Sequence, residues 1–163
     1  MKINEIRSRA KEKFSSTGYP STKDESWRFT DLRRFKALDF NGEWKNSDLS
    51  FEPLSDVFII FENGKISKEK SNLDNLPDGI TLASINNQES LNFGSLISPD
   101  SSFALYNTAN FLDGYYLKID KNINFKKNIH IIFLSDAEMY SNNVRNLVEV
   151  DDNSKVTIIE EYI

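Results

Sequence analysis

The chain has no cysteine in 163 residues and a single histidine, His130, and these scarcities exclude more chemistry than any residue present admits. Without thiolates there is no disulfide, no thiol or persulfide relay, and no cysteine-ligated metal or cluster. One histidine within the strand pattern Asn128-Ile129-His130-Ile131-Ile132-Phe133-Leu134 does not make a metal site, which needs several convergent ligands, so neither metal nor cofactor is expected. No apolar run approaches the roughly 18 residues that span a bilayer. Met1 to Phe14 lacks the apolar centre of a signal peptide, and Glu5 and Glu12 interrupt any presequence-like pattern, so the cytoplasm is the expected location and no membrane partner is expected. Basic residues are not in excess: 20 Lys and Arg stand against 25 Asp and Glu, a net charge of −5 that argues against a nucleic-acid surface. There is no Gly-rich phosphate loop, no G-x-S-x-G elbow and no histidine-paired nucleophile. Glu160 and Glu161 are adjacent on a strand pattern and so point to opposite faces, which disqualifies them as a carboxylate pair. Asp151-Asp152 reads as turn chemistry. No enzyme is expected.

Bulk is plentiful: twelve Phe, six Tyr and two Trp can fill the core of a chain this long, one domain or one and a half. Ile3, Ile6, Ala10 and Phe14 share one face of a helix that Gly18 stops, with Pro20 just beyond. A second helix is predicted from about Asp24 to Leu38, with Thr22 and Glu25 forming a capping box and Trp27, Phe29, Leu32 and Phe35 at near-helical spacing. Its Arg28, Arg33, Arg34 and Lys36 read as a solvated face or as a basic edge toward a partner. Asn46 to Leu54 reads as a polar loop. Val57 to Phe61 is a buried strand, and Asn63-Gly64 turns it back as a type I′ hairpin. Leu76-Pro77-Asp78-Gly79 is a turn into the strand pattern Ile80–Ile85, Asn86 to Gly94 is ambiguous, and Phe103 to Leu112 suits a helix. From Tyr115 onward short strands recur: Tyr115–Ile119, Ile129–Leu134, Val144–Val150 and Val156–Tyr162. That spacing fits a sandwich, a barrel or a β-solenoid, and periodicity alone does not choose.

The string Pro20-Ser21-Thr22-Lys23-Asp24-Glu25-Ser26-Trp27-Arg28-Phe29-Thr30-Asp31 resembles the P-x-x-K-x-E-x-W-[KR]-[YF]-T-D signature of the SufB/SufD family, SufD type, scaffolds of the SUF iron–sulfur cluster assembly system. Phe103 to Ala109 followed by Asp113-Gly114 resembles that family's F-x-x-L-N-x-A…D-G segment, with Tyr106 in place of the usual Leu. Val144 to Val150 and Val156 to Tyr162 are similar to the R-N-L…A-x-[VLI]-x-E-x-Y pattern of its first β-helix rungs. The similarity spans roughly Arg9 to Ile163, although Leu54 to Ser98 carries little of it.

The resemblance implies an α+β fold: an N-terminal helical and strand region over residues 1–112, then over 113–163 the first rungs of a right-handed parallel β-helix. Family members continue well beyond this length, so the chain is expected to be either an N-terminal excerpt or a short open reading frame whose open strand edge needs a cover. The implied role is structural and docking, with no chemistry of its own and with SufB-like and SufC-like partners joined through a complete chain. Trp27, Arg28, Thr30 and Asp31 are the candidate interface or structural motif; a fully buried Trp27 would make Trp27→Ala cost about 3–5 kcal/mol. The competing reading is a β-rich module that binds a glycan or protein through Tyr106, Tyr115, Tyr116 and Tyr140.

Overall fold

The computed structural model describes residues 3–88, 92–96 and 101–163. Helix α1 (Ile3–Thr17) buries Ile6 and Ala10, as its apolar spacing requires. It ends where expected: Gly18 takes φ +66° and its N–H donates to the Phe14 carbonyl at 2.7 Å.

The helix predicted over Asp24–Leu38 does not form. One 3₁₀ turn (Glu25–Trp27) and a single α turn, α2 (Arg33–Lys36), take its place. The Thr22–Glu25 capping box is absent, because Asp24 turns its carboxylate back to accept from the Ser21 N–H at 2.6 Å. Further on, the Asp31 carboxylate accepts from the Arg33 N–H at 2.9 Å, a local turn that competes with a continuous helix.

The strands fall near their predicted positions. β1 (Val57–Glu62) and β2 (Lys65–Asn72) form the hairpin, with Asn63 and Gly64 both at positive φ. β3 (Ile80–Ser84) follows, and α3 (Ser102–Asn110) starts at Ser101, whose hydroxyl accepts from the Ala104 N–H. The last four are β4 (Tyr115–Ile119), β5 (Asn124–Leu134), β6 (Leu147–Val150) and β7 (Lys155–Tyr162). Val144, predicted as a strand start, makes only an isolated bridge to Asp113; the strand begins at Leu147. The ambiguous stretch 86–94 lies partly outside the described residues.

One sheet has the order β2-β1-β5-β7, the other β3-β4-β6, and both mix antiparallel with parallel pairs. Helices and mixed sheets make the fold α+β, and strands from both sides of residue 112 share each sheet. From β4 to β7 the chain alternates between the sheets. β6 then lies parallel to β4, 31 residues on (Tyr116 opposite Leu147), and β7 parallel to β5, 29 residues on (Ile129 opposite Ile158).

Period-2 alternation decides which side chains meet between the sheets. Val57, Ile59 and Phe61, Ile80 and Leu82, Tyr115, Leu117 and Ile119, and Ile129, Ile131 and Phe133 form that core. The opposite face of β4 presents Tyr116 to α1, where Ile6, Ile85, Phe93, Phe111 and Leu147 join it. The stretch read as a polar loop is irregular but not merely solvated. Leu49 and Phe51 pack on Ile60, Ile132 and Leu134, covering the outer face of the larger sheet.

Candidate functional site

The signature segment is built around Tyr19, just past the end of α1. Its ring meets Phe14 at 4.9 Å, Phe35 at 5.4 Å, and Phe103 and Tyr106 at 5.5 Å. Burial, then the neighbouring Tyr106, pushes the Tyr19 hydroxyl up to about 12. Trp27 stacks at a tilt on Phe103, 5.2 Å between ring centres, but stays half-exposed on the rim, so the cost of losing a fully buried indole does not apply to it. Tyr19, Pro20, Glu25, Trp27 and Phe103 line a shallow cleft between this segment and α3.

The other three motif residues face outward. Arg28 lays its guanidinium over the Phe29 ring at 4.5 Å and reaches Glu25 at 3.2 Å. Thr30 donates its N–H to the Trp27 carbonyl at 2.9 Å. Asp31 accepts from Arg33 Nε and Nη2 at 2.9 and 2.7 Å, and these bonds with the Arg33 N–H hold its carboxyl at about 2. The structure thus brings Trp27 into an aromatic cluster and leaves Arg28, Thr30 and Asp31 on the surface. Sequence spacing did not reveal Tyr19 as the hub; its only signal was an aromatic lying between the Gly18 and Pro20 breakers.

The downstream motifs meet in a buried polar junction. Asp113 Oδ1 accepts from the Ser84 hydroxyl at 2.5 Å, from the Gly114 N–H at 2.9 Å and from the Asn86 amide at 3.2 Å. The Asp113 carbonyl accepts from the Arg145 N–H at 3.0 Å. Asn107 donates to the Val144 carbonyl at 3.0 Å and accepts from Arg145 Nη1 at 3.3 Å; Asn146 Oδ1 accepts from the Tyr115 N–H at 3.1 Å. These residues tie α3, β4 and β6 together, which is a structural task.

Tyr115 and Tyr116 are buried on opposite faces of β4, so the four tyrosines do not form one exposed platform. Tyr115 donates to Glu160 at 2.7 Å and Tyr116 to Glu149 at 2.5 Å. Burial first, then these carboxylates, raises both phenols, Tyr116 to about 12. His130 is fully buried. Its Nδ1 accepts from the Leu54 N–H at 3.1 Å, which occupies the ring's basic lone pair. Its Nε2 lies 3.1 Å from Glu161 Oε2 but off the line of a good hydrogen bond. Among the described residues no three His, Asp or Glu side chains converge on a common point.

Acid sensitivity follows from two carboxylates that fasten residues 45–48. Burial raises Glu62, but bonds from Lys70 at 2.6 Å, from Ser67 and from the Ser47 N–H outweigh it, and the net shift is downward. Bonds from the Asn63 amide and the Asp48 N–H hold Asp136 at about 2. Both folded-state values lie below the unfolded ones, so this stabilisation is present above the ordinary carboxylate range and disappears as the pH falls through the depressed values. Melting temperature is therefore expected to be flat near neutrality and to fall between about pH 4 and 2. Asp136→Asn should blunt that fall in a pH series of thermal melts. At the other extreme, the raised Tyr115 and Tyr116 give stability that is lost as the pH rises above about 10.

Residues 1–131 match the family model described as the SufBD protein N-terminal region. An iron–sulfur cluster assembly SufBD family protein of Synechocystis sp. is 32% identical over 173 aligned positions, which take in 96% of this chain and 38% of that relative. The chain therefore spans well under half the length of the relative it matches. No helix among the described residues is long and apolar enough to cross a membrane.

Proposed function

The chain belongs to the SufBD family, and from that premise we propose that it is the N-terminal part of a SufD-like scaffold for iron–sulfur cluster assembly. In this reading it begins a right-handed parallel β-helix, has no chemistry of its own, and joins SufB-like and SufC-like partners in the cytoplasm through the complete chain. The observation that carries the reading is the path from β4 to β7, two strands in each sheet laid down alternately and in parallel. On one side this coil is closed, since β2 pairs antiparallel with β1 and β3 with β4. On the other side it is open. Val148, Val150 and Tyr162 are 36, 47 and 67% exposed, although their register partners Leu117, Ile119 and Phe133 are buried. Inward-facing apolar side chains on free strand edges fit a coil onto which further strands stack.

The test is a chimera in which this chain replaces the matching part of the Synechocystis relative, co-expressed with SufB-type and SufC-type proteins. The chimera is expected to co-purify with both, as the unaltered relative serves to calibrate. A chimera that melts cooperatively yet binds neither, where the unaltered relative binds both, overturns the proposal.

A further inference from the structure

From Ser21 to Asn46 no residue is buried, although the stretch carries Trp27, Phe29, Leu32, Phe35, Leu38, Phe40 and Trp44. Side chains of this size are the ones a fold normally places inside, and exposed apolar patches of this kind mark interaction sites. Phe29 is the extreme case at 88% exposed. Among the described residues its one ring contact is with the Arg28 guanidinium, 4.5 Å from the ring centre. In the same segment Phe35 and Phe40 line a second shallow groove with Phe103 and Tyr106.

The charge around these rings is opposite in sign to that of the molecule. Residues 27–38 contain Arg28, Arg33, Arg34 and Lys36 against Asp31 alone, in a chain of net charge −5; just outside that window Glu25 pairs with Arg28 and Asp39 precedes Phe40, which leaves Arg33, Arg34 and Lys36 to set the sign. Asp31 is already clamped by Arg33, and Arg34 makes no ion pair among the described residues. We propose that the surface of residues 27–38 docks an acidic polypeptide segment of a partner protein, with apolar side chains seated against Phe29, Phe35 and Phe40. Two-fold pairing of this face with a second copy would set arginines against arginines. A nucleic acid would meet the repulsion of an acidic protein around a small basic spot. An acidic chain with apolar anchors satisfies both the charge and the exposed rings. The inference stands on this surface and does not depend on the SufD-like assignment.

The probe is a fluorescent synthetic peptide of about 15 residues with Leu and Phe at helical i, i+4 spacing among Asp and Glu, read by anisotropy against the whole chain. Saturable binding is expected, weakened about tenfold by Phe29→Ser and by Arg34→Glu and strongly reduced by added salt. Both positions are exposed, so the variants should melt at the parent temperature. A peptide with Lys in place of the acids should not bind. Equal binding of the Lys peptide, indifference to both variants, or no binding of the acidic peptide at millimolar concentration each overturns the proposal. So does binding to vesicles of anionic phospholipid in place of peptide, which would make the face a membrane contact.

Discussion

Gly114→Ala is expected to cost on the order of 4 kcal/mol or more, a large share of the stability of an ordinary domain. An ideal Cβ at this position lies 1.8 Å from the Arg145 carbonyl oxygen, 2.5 Å from its carbonyl carbon and 2.9 Å from its nitrogen. All three are backbone atoms, so no side chain can swing aside. Relief requires the Arg145 backbone to retreat from β4. That segment is held by the Arg145 N–H on the Asp113 carbonyl, the Arg145 guanidinium on Asn107, and Asn146 on the Tyr115 N–H. Retreat breaks those bonds at about 1 kcal/mol each and pulls Leu147 away from Tyr116, where the parallel register of β6 begins. Gly18→Ala is the control. Gly18 has φ +66° and nothing within 4 Å of its added Cβ, so only left-handed backbone strain remains, about 1 kcal/mol. Urea unfolding of both variants makes the measurement. A loss below about 1 kcal/mol at Gly114 would mean that the coil spacing yields to a methyl group, and the account of the junction would fail.

What could be read from the sequence was whatever a few neighbouring residues decide. Gly18 ended α1, Asn63-Gly64 made the hairpin, alternating apolar residues marked β3, and short apolar strand patterns marked β4 and β7. The second helix failed because its hydrophobic spacing was outvoted by two short carboxylates, Asp24 and Asp31, that bond to nearby backbone N–H groups. Sheet order was beyond local pattern. β1 lies parallel to β5 with Val57 opposite Ile129, a pairing fixed by how two apolar strands meet in three dimensions. The same distance hid the polar junction. Asn107, Asp113, Gly114, Arg145 and Asn146 appeared as motif letters through a family resemblance, but their mutual bonds cross from α3 to β6. The loop at Asn46–Leu54 is irregular as its sequence indicates, but its polar residues conceal two side chains, Leu49 and Phe51, that cover the larger sheet. For the signature motif, the residue types were legible while their exposure was not: Trp27 sits on a rim and Phe29 in solvent.

Phe133→Ala should cost about 4 kcal/mol, whereas Tyr162→Ala in the same stack of rings should cost only about 1 kcal/mol. Phe61, Phe133 and Tyr162 belong to successive strands of the larger sheet and stack ring on ring, with centres 5.0 and 4.7 Å apart and planes inclined by 22° and 12°. Phe133 is the middle ring and almost wholly buried, so its removal leaves a cavity bounded by strands on either side. Tyr162 is the outer ring on the free edge of β7 and remains largely in water, so its removal forfeits one aromatic contact and little burial. The contrast is a measure of how open the coil is in solution. If chemical denaturation gave equal losses at the two positions, Tyr162 would have to be covered by a strand of another molecule. The β7 edge would then be occupied in the isolated protein. Unequal losses, largest at Phe133, mean that the β7 edge is uncovered in solution and that Phe133, between Phe61 and Tyr162, is the ring the core depends on.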